Sequence, residues 1–220
     1  MTRQAVPHYP VFLNVRGMRC LVVGGGAVAY RKAKTLVEHG AEVVVVSPEV
    51  CPEIRDLAAG AGVEVVLRQF DAGTLDGVFL AIAATDDARV NERVAVEAGR
   101  RGVLVNVVDD VERSRFITPS CVRRGDVGIA ISTGGASPAL ARRIRAKLEA
   151  EFGAEYAELA SLLRQIRTEL KGRGVTVPGD TWQDALDLEA LLGFVRAGQV
   201  DRARRMVIER LGVASQPERD

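Results

Sequence analysis

A chain of 220 residues is long enough for one sizeable core, or for one domain of ordinary size beside a smaller appendage, and both arrangements stand at this point. Lys and Arg number 30 against 29 Asp and Glu, which excludes a whole-molecule field directed at nucleic acid or an anionic membrane, so anion recognition has to be local. The three cysteines, Cys20, Cys51 and Cys121, are odd in number and lack C-x-x-C spacing, which argues against both a disulfide framework and a thiolate metal site.

Residues 1–10 contain no apolar leader, and no apolar run approaches the ~18–20 residues of a membrane span. A soluble cytoplasmic protein is the expectation. The two histidines, His8 and His39, are too few and too far apart for a metal site, and none is expected.

Residues 10–15 read as an extended segment and Arg16-Gly17-Met18 as a turn into the first central strand, a hairpin that could add an outer strand to the sheet. The run 20–23 is apolar without alternation, as a parallel strand covered on both faces should be. Gly24-Gly25-Gly26 follows, and then a helix over 27–40 with Val28, Ala33, Leu36 and Val37 at helical spacing. Arg31, Lys32, Lys34 and Glu38 are left for its other side, and Gly40 closes it. A second strand, 43–46, stops at Ser47-Pro48-Glu49.

A helix over 52–59, strands at 63–67, 78–83 and 103–108, and a helix over 88–100 continue the alternation to residue 110. That pattern predicts an α/β fold with a doubly wound, Rossmann-type parallel sheet. Ligands collect beyond the carboxyl ends of such strands, so Gly24 to Gly26, Ser47 to Glu49, Thr85 to Asp87 and Asp109 should share one rim.

Near Ser114 the pattern changes. Residues 116–122 and 127–133 are β-rich around Arg123-Arg124-Gly125-Asp126, which predicts a β-hairpin with a four-residue turn. A helix from Pro138 to about Glu151 follows, with Ser137 as its N-cap. Helices over 156–170, 182–197 and 201–211 complete the chain, with a frayed tail from Gly212. The expected organisation is a dinucleotide-binding domain over 1–113, a dimerisation and substrate segment over 114–150, and a small helical domain over 151–220.

Strand, glycine turn, helix and strand together hold a dinucleotide pyrophosphate against a helix N-terminus. Gly24-x-Gly26-x-x-Ala29 has alanine where a third glycine is usual, and the position that normally offers an acid to the ribose is Ser47, with Glu49 as the nearest carboxylate. No arginine follows closely to bind a 2′-phosphate, which favours NAD over NADP. Gly24, Gly25, Gly26, Ala27, Val28, Ser47, Pro48, Glu49 and Thr85 are the expected cofactor contacts.

Thr85-Asp86-Asp87 is open between a nicotinamide contact and an N-cap for the next helix. Asp109-Asp110 is equally open between a polar turn and a proton acceptor. Gly134-Gly135-Ala136-Ser137-Pro138 before a basic helix offers amides and arginines to carboxylates, or is the start of a solvated helix.

Taken together, Val22-Val23-Gly24-Gly25-Gly26-x-Val28-Ala29-x-Arg31-Lys32-Ala33, Ala81-Ile82-Ala83-Ala84-Thr85-Asp86-Asp87, Asn106-Val107-Val108-Asp109, Phe116-Ile117-x-Pro119-Ser120 and Ala130-Ile131-Ser132-Thr133-Gly134-Gly135-x-Ser137-Pro138 resemble, in the same order, the precorrin-2 dehydrogenase module of sirohaem synthases. The resemblance covers about residues 9 to 150 and is loose beyond. It implies oxidation of precorrin-2 to sirohydrochlorin with NAD as hydride acceptor, and in some members insertion of ferrous iron, with cobaltous ion as the counterpart on a corrinoid route. It also implies a homodimer built through 114–150 and a catalytic role for Asp109.

Since the tetrapyrrole carries many carboxylates, Arg113, Arg115, Arg123, Arg142 and Arg143 are expected clamps by charge and position. Ser132, Thr133, Gly134, Gly135 and Ser137 complete the expected substrate set. The competing reading from another class is a regulatory module that senses NAD without turnover; a chelatase that has lost dehydrogenation is a second.

Overall fold

The computed structural model describes residues 8–213, and the chain divides into two compact units, 1–118 and 119–220. In the first, β1 (Arg19–Val23), β2 (Glu42–Val46), β3 (Glu64–Val66), β4 (Leu80–Ala83) and β5 (Leu104–Val107) form one parallel sheet in the order β3-β2-β1-β4-β5. The expected doubly wound architecture is therefore present.

Apolar runs without alternation reflect cover on both faces. Leu21, Val23, Val44, Val46, Ala81, Ala83, Val105 and Val107 face one way, against Val94 and Ala98 of α3 (Ala88–Arg101) and against Phe70 and Leu75. Cys20, Val22, Val43, Val45, Leu80 and Ile82 face the other, against Ala29, Ala33 and Leu36 of α1 (Ala27–Glu38) and Ile54 of α2 (Pro52–Ala61). Ala29 is fully buried in this second layer, so a methyl group fills the space where a third glycine is usual.

The outer strand expected from 10–15 does not form. Gly17 donates its amide to Gly40 at 2.8 Å and Glu42 donates to Met18 at 3.0 Å, which fixes the turn at the start of β2. β1 already has β2 on one side and β4 on the other, so a hairpin partner has no free edge to pair with. Val15 is buried, while Val11 and Phe12 are exposed. A short 3-10 helix at Ala72–Leu75, capped by Asp71, was not anticipated from the sequence.

In the second unit β6 (Ser120–Arg124) and β7 (Val127–Ile131) form the expected antiparallel hairpin. Its loop is shorter than the spacing suggests: Arg124 pairs with Val127, which leaves Gly125 and Asp126, with Gly125 at φ 58°. Ser137 caps α4 (Pro138–Glu151) as expected, its Oγ accepting the Leu140 amide at 3.1 Å. At the other end the Arg124 guanidinium donates to the carbonyls of Phe152 at 2.8 Å and Glu149 at 3.0 Å, a cation on a helix C-terminus.

The helical remainder is α5 (Glu155–Gly172), α6 (Gly179–Ala185), α7 (Leu188–Arg196) and α8 (Val200–Arg210), around a core that includes Leu159, Leu162, Ile166, Leu191, Val195 and Val207. The single helix expected over 182–197 is two helices. Asp187 accepts the Ala190 amide at 3.2 Å and so begins α7 as a new helix. No helix among the described residues is long and apolar enough to cross a membrane.

Candidate active site

At the carboxyl ends of the first unit's strands lies a cleft of about 970 Å³. It is lined by Gly24, Gly25, Gly26, Ala27 and Val28, by Ser47, Pro48 and Glu49 after β2, by Gln69 and Phe70 after β3, and by Thr85, Asp86, Asp87, Arg89 and Arg93 after β4. All nine residues expected to hold a cofactor line this one cleft.

The three glycines answer three separate demands. Gly24 has φ 130°, and a Cβ there would collide with the Ala84 carbonyl. A Cβ on Gly25 would run into the Glu49 carbonyl and lie 2.8 Å from Ser47 Oγ. Gly26, the N-cap of α1, lies at an ordinary φ of −87°, and a Cβ on it would meet nothing within 4 Å. The first two are glycines so that the chain packs on itself; the third leaves the helix N-terminus bare toward the cleft. Such a cradle suits a pyrophosphate held by amides.

The end of β2 is organised by the same contacts. Cys51 donates its amide to the Gly25 carbonyl at 2.8 Å, and Ser47 is buried with its hydroxyl against Gly25. The exposed Glu49 carboxylate is the acid at this corner, an arrangement that opposes a 2′-phosphate. Arg68, two residues after β3, is ion-paired with Asp71.

Thr85 is held by a second network. Its Oγ donates to Asn91 Oδ1 at 2.8 Å, and Asn91 Nδ2 donates to the Thr85 carbonyl at 2.8 Å. Asp87 is the N-cap of α3, accepting the Arg89 amide at 2.8 Å, and that bond holds its carboxyl below the ordinary range. Of the two readings of 85–87, the cap therefore belongs to Asp87. Arg93 lies 6.0 Å from the Phe70 ring centroid.

Asp109 follows β5 and is exposed outside the lining of the cleft. Its φ of 61° is the one positive value of a non-glycine residue among the described residues. A buried polar lock sits behind this turn. Ser114 Oγ accepts the Val107 amide at 2.9 Å and donates to the Asp110 carbonyl at 2.6 Å, while Asn106 donates Nδ2 to the Phe116 carbonyl at 3.0 Å.

Lys32, on the second turn of α1, donates to Thr118 Oγ1 at 2.6 Å. Burial first, and then the Arg31 guanidinium, lower its ammonium below the ordinary range, while the Asp109 carboxylate acts in the opposite direction.

The expected substrate residues divide between the units. In the first, Arg113 is engaged by Asp110 at 2.6 Å and approaches Glu92 at 3.7 Å, and Arg115 is exposed. In the second, the 132–137 loop consumes its own hydroxyls: Ser132 Oγ accepts the Gly134 amide at 3.0 Å, Thr133 Oγ1 accepts the Ser137 amide at 3.1 Å, and Ser137 caps the helix. Gly134 and Gly135 have φ of 62° and 87°. Arg142 is exposed.

Sequence reasoning missed Lys32, Gln69, Arg89, Asn91, Arg93, Asn106 and Ser114 as parts of these arrangements. For Arg89 and Arg93 a signal existed, since two arginines four apart on the first turns after a rim strand share one helix face.

A family model described as "Putative NAD(P)-binding" matches residues 11–120. The chain belongs to this NAD(P)-binding family. Behind it, a second model, described as "Sirohaem biosynthesis protein central", matches residues 124–151.

The chain is similar to a siroheme synthase of Chromobacterium violaceum, 48% identical over 75% of this chain and 35% of that protein. Another relative is a siroheme synthase of Pseudomonas fluorescens strain SBW25, 42% identical over 93% of this chain and 44% of that protein. The chain thus spans less than half the length of these curated relatives. A solved structure, "SirC, precorrin-2 dehydrogenase", is similar with a TM-score of 0.69 and 28% identity, over 93% of this chain and 99% of that one.

Proposed function

We propose that this chain oxidises precorrin-2 to sirohydrochlorin with NAD as hydride acceptor, in tetrapyrrole biosynthesis in the cytoplasm. The observation that carries the reading is the bare Gly26 start of α1, opening on a cleft of dinucleotide size in a chain similar to a named precorrin-2 dehydrogenase along nearly its whole length.

The amides at the start of α1 bind the pyrophosphate, Glu49 takes the ribose hydroxyls, and Thr85, fixed by Asn91, orients the nicotinamide end. NAD supplies a two-electron acceptor; the chain's own contribution is binding, orientation and a base. Dehydrogenation removes one hydride and one proton, and Asp109 accepts the proton on a carboxylate oxygen. In the first unit Arg115 holds a substrate carboxylate, with Arg113 joining it once a carboxylate displaces Asp110; in the second, Arg142 and the 132–137 loop offer carboxylate contacts.

In the same reading the chain works as a homodimer. Leu140 and Ile144 are exposed on α4, and the hairpin and helix share a small core that includes Val122, Ile131 and Ala141, which supports cover from a second copy.

The deciding assay incubates the purified chain with precorrin-2 and NAD and follows sirohydrochlorin absorbance. NAD-dependent product formation is expected. NAD binding with no turnover would refute the reading in favour of a sensing module. Parallel incubations with ferrous or cobaltous ion report whether the product is also metallated.

A further inference from the structure

Lys32 is a half-buried cation with only a neutral hydrogen-bond partner. Its Nζ donates to Thr118 Oγ1 at 2.6 Å, and no described carboxylate lies within 4.0 Å of it. An ammonium taken partly out of water is costly unless an anion compensates it.

The surroundings are fixed by packing. Tyr30, Val108 and Phe116 pack in the layer that contains Ala29 and Ala33 of α1. Asn106 pins the Phe116 carbonyl behind them. Thr118 is thereby brought onto Lys32, and the turn that begins after Val108 is brought near enough for the Asp109 charge to act on the ammonium. Arg31, next along the helix, adds a second positive charge to the patch. An ammonium held by one hydroxyl, with hydrogens to spare and the Arg31 charge beside it, forms a receptor for a carboxylate.

We propose that Lys32 anchors a carboxylate side chain of the tetrapyrrole and so sets the macrocycle against Asp109. The assignment rests on the dehydrogenase reading above and adds to it a recognition residue outside the glycine cleft. The ammonium donates two further hydrogens to the incoming carboxylate while Thr118 keeps the third, so the stem of Lys32 is already oriented before substrate arrives.

The test measures the dissociation constant of metal-free sirohydrochlorin, a polycarboxylate tetrapyrrole, for the wild-type chain and for Lys32→Gln, Lys32→Arg and Thr118→Val, with NAD affinity measured on each. Lys32→Gln is expected to weaken tetrapyrrole binding roughly tenfold to a hundredfold, in line with a charge-assisted hydrogen bond. NAD affinity should be unchanged, Lys32→Arg should recover most of the loss, and Thr118→Val should retain most of the binding.

Equal losses in Lys32→Gln and Thr118→Val would make the bond a structural tie and overturn the proposal, as would wild-type binding by Lys32→Gln. A wild-type chain that binds NAD but neither binds the tetrapyrrole nor oxidises precorrin-2 would instead sink the dehydrogenase reading, and the anchor with it.

Discussion

Asp110 and Arg113 meet twice, the guanidinium donating to Oδ2 at 2.6 Å and the Arg113 amide to Oδ1 at 3.0 Å. The Arg113 side chain, and then its amide, hold the Asp110 carboxyl below its ordinary value of 3.8. Since the folded value lies under the unfolded one, the stabilisation is present in full above about 4 and is lost as pH falls through the folded value. Urea midpoints measured from pH 6 to pH 2 should therefore show wild type more stable than Asp110→Asn at the upper end, with the gap closing below pH 4. A gap independent of pH would show that the ion pair is not its source.

Asp109 carries the second prediction, because its φ of 61° constrains which substitution isolates its chemistry. Asn tolerates the left-handed region, whereas Ala meets the Cβ penalty of about 1 kcal/mol. Asp109→Asn should melt with the wild type and bind NAD normally, yet lose turnover. Asp109→Ala should lose turnover and also about 1 kcal/mol of stability. Undiminished sirohydrochlorin formation by Asp109→Asn would remove Asp109 from the role of base.

These two neighbours also show what a sequence can carry. The rim was legible because unalternating apolar runs such as 43–46 have one good solution, a strand covered on both faces, and a strand end followed by glycines has few uses. Ser137 was legible as a cap because N-capping is local. Lys32 was not, since its burial depends on Thr118, 86 positions away. Nor was the fate of 10–15, because whether a strand can join depends on whether β1 has an unpaired edge. Arg113 was expected as a clamp on charge and position, and only the fold shows Asp110 folded back onto it.

The lock behind Asp109 gives a third prediction. Ser114 Oγ is the acceptor for the Val107 amide, and Val107 is buried. Ser114→Ala strands that amide, which should cost about 1–3 kcal/mol. Because the same hydroxyl donates to the Asp110 carbonyl, the variant should lower kcat more than it raises KM for precorrin-2. Thr in place of Ala restores the hydroxyl and should recover much of the stability in a thermal melt. An Ala variant that melts with the wild type would show that the hydroxyl is dispensable to the turn.

Gly25 and Gly26 are adjacent, and the geometry predicts opposite phenotypes for them. At Gly25 an added methyl meets the Glu49 carbonyl, backbone that cannot swing aside. Gly25→Ala should thus cost about 1–3 kcal/mol as the loop is forced open, and NAD affinity should fall with it. Gly26 has room for a side chain and sits at the N-cap, where asparagine is at least as good as glycine. Gly26→Asn should therefore melt within a few tenths of a kcal/mol of the wild type or slightly above it. Its side chain, however, occupies the space above the first amides of α1, so NAD affinity should fall by about tenfold or more, a loss of ~1.4 kcal/mol. Calorimetric titration with NAD beside a thermal melt reads both quantities on the same samples. If Gly26→Asn bound NAD as tightly as the wild type, the helix start would not be where the pyrophosphate lies.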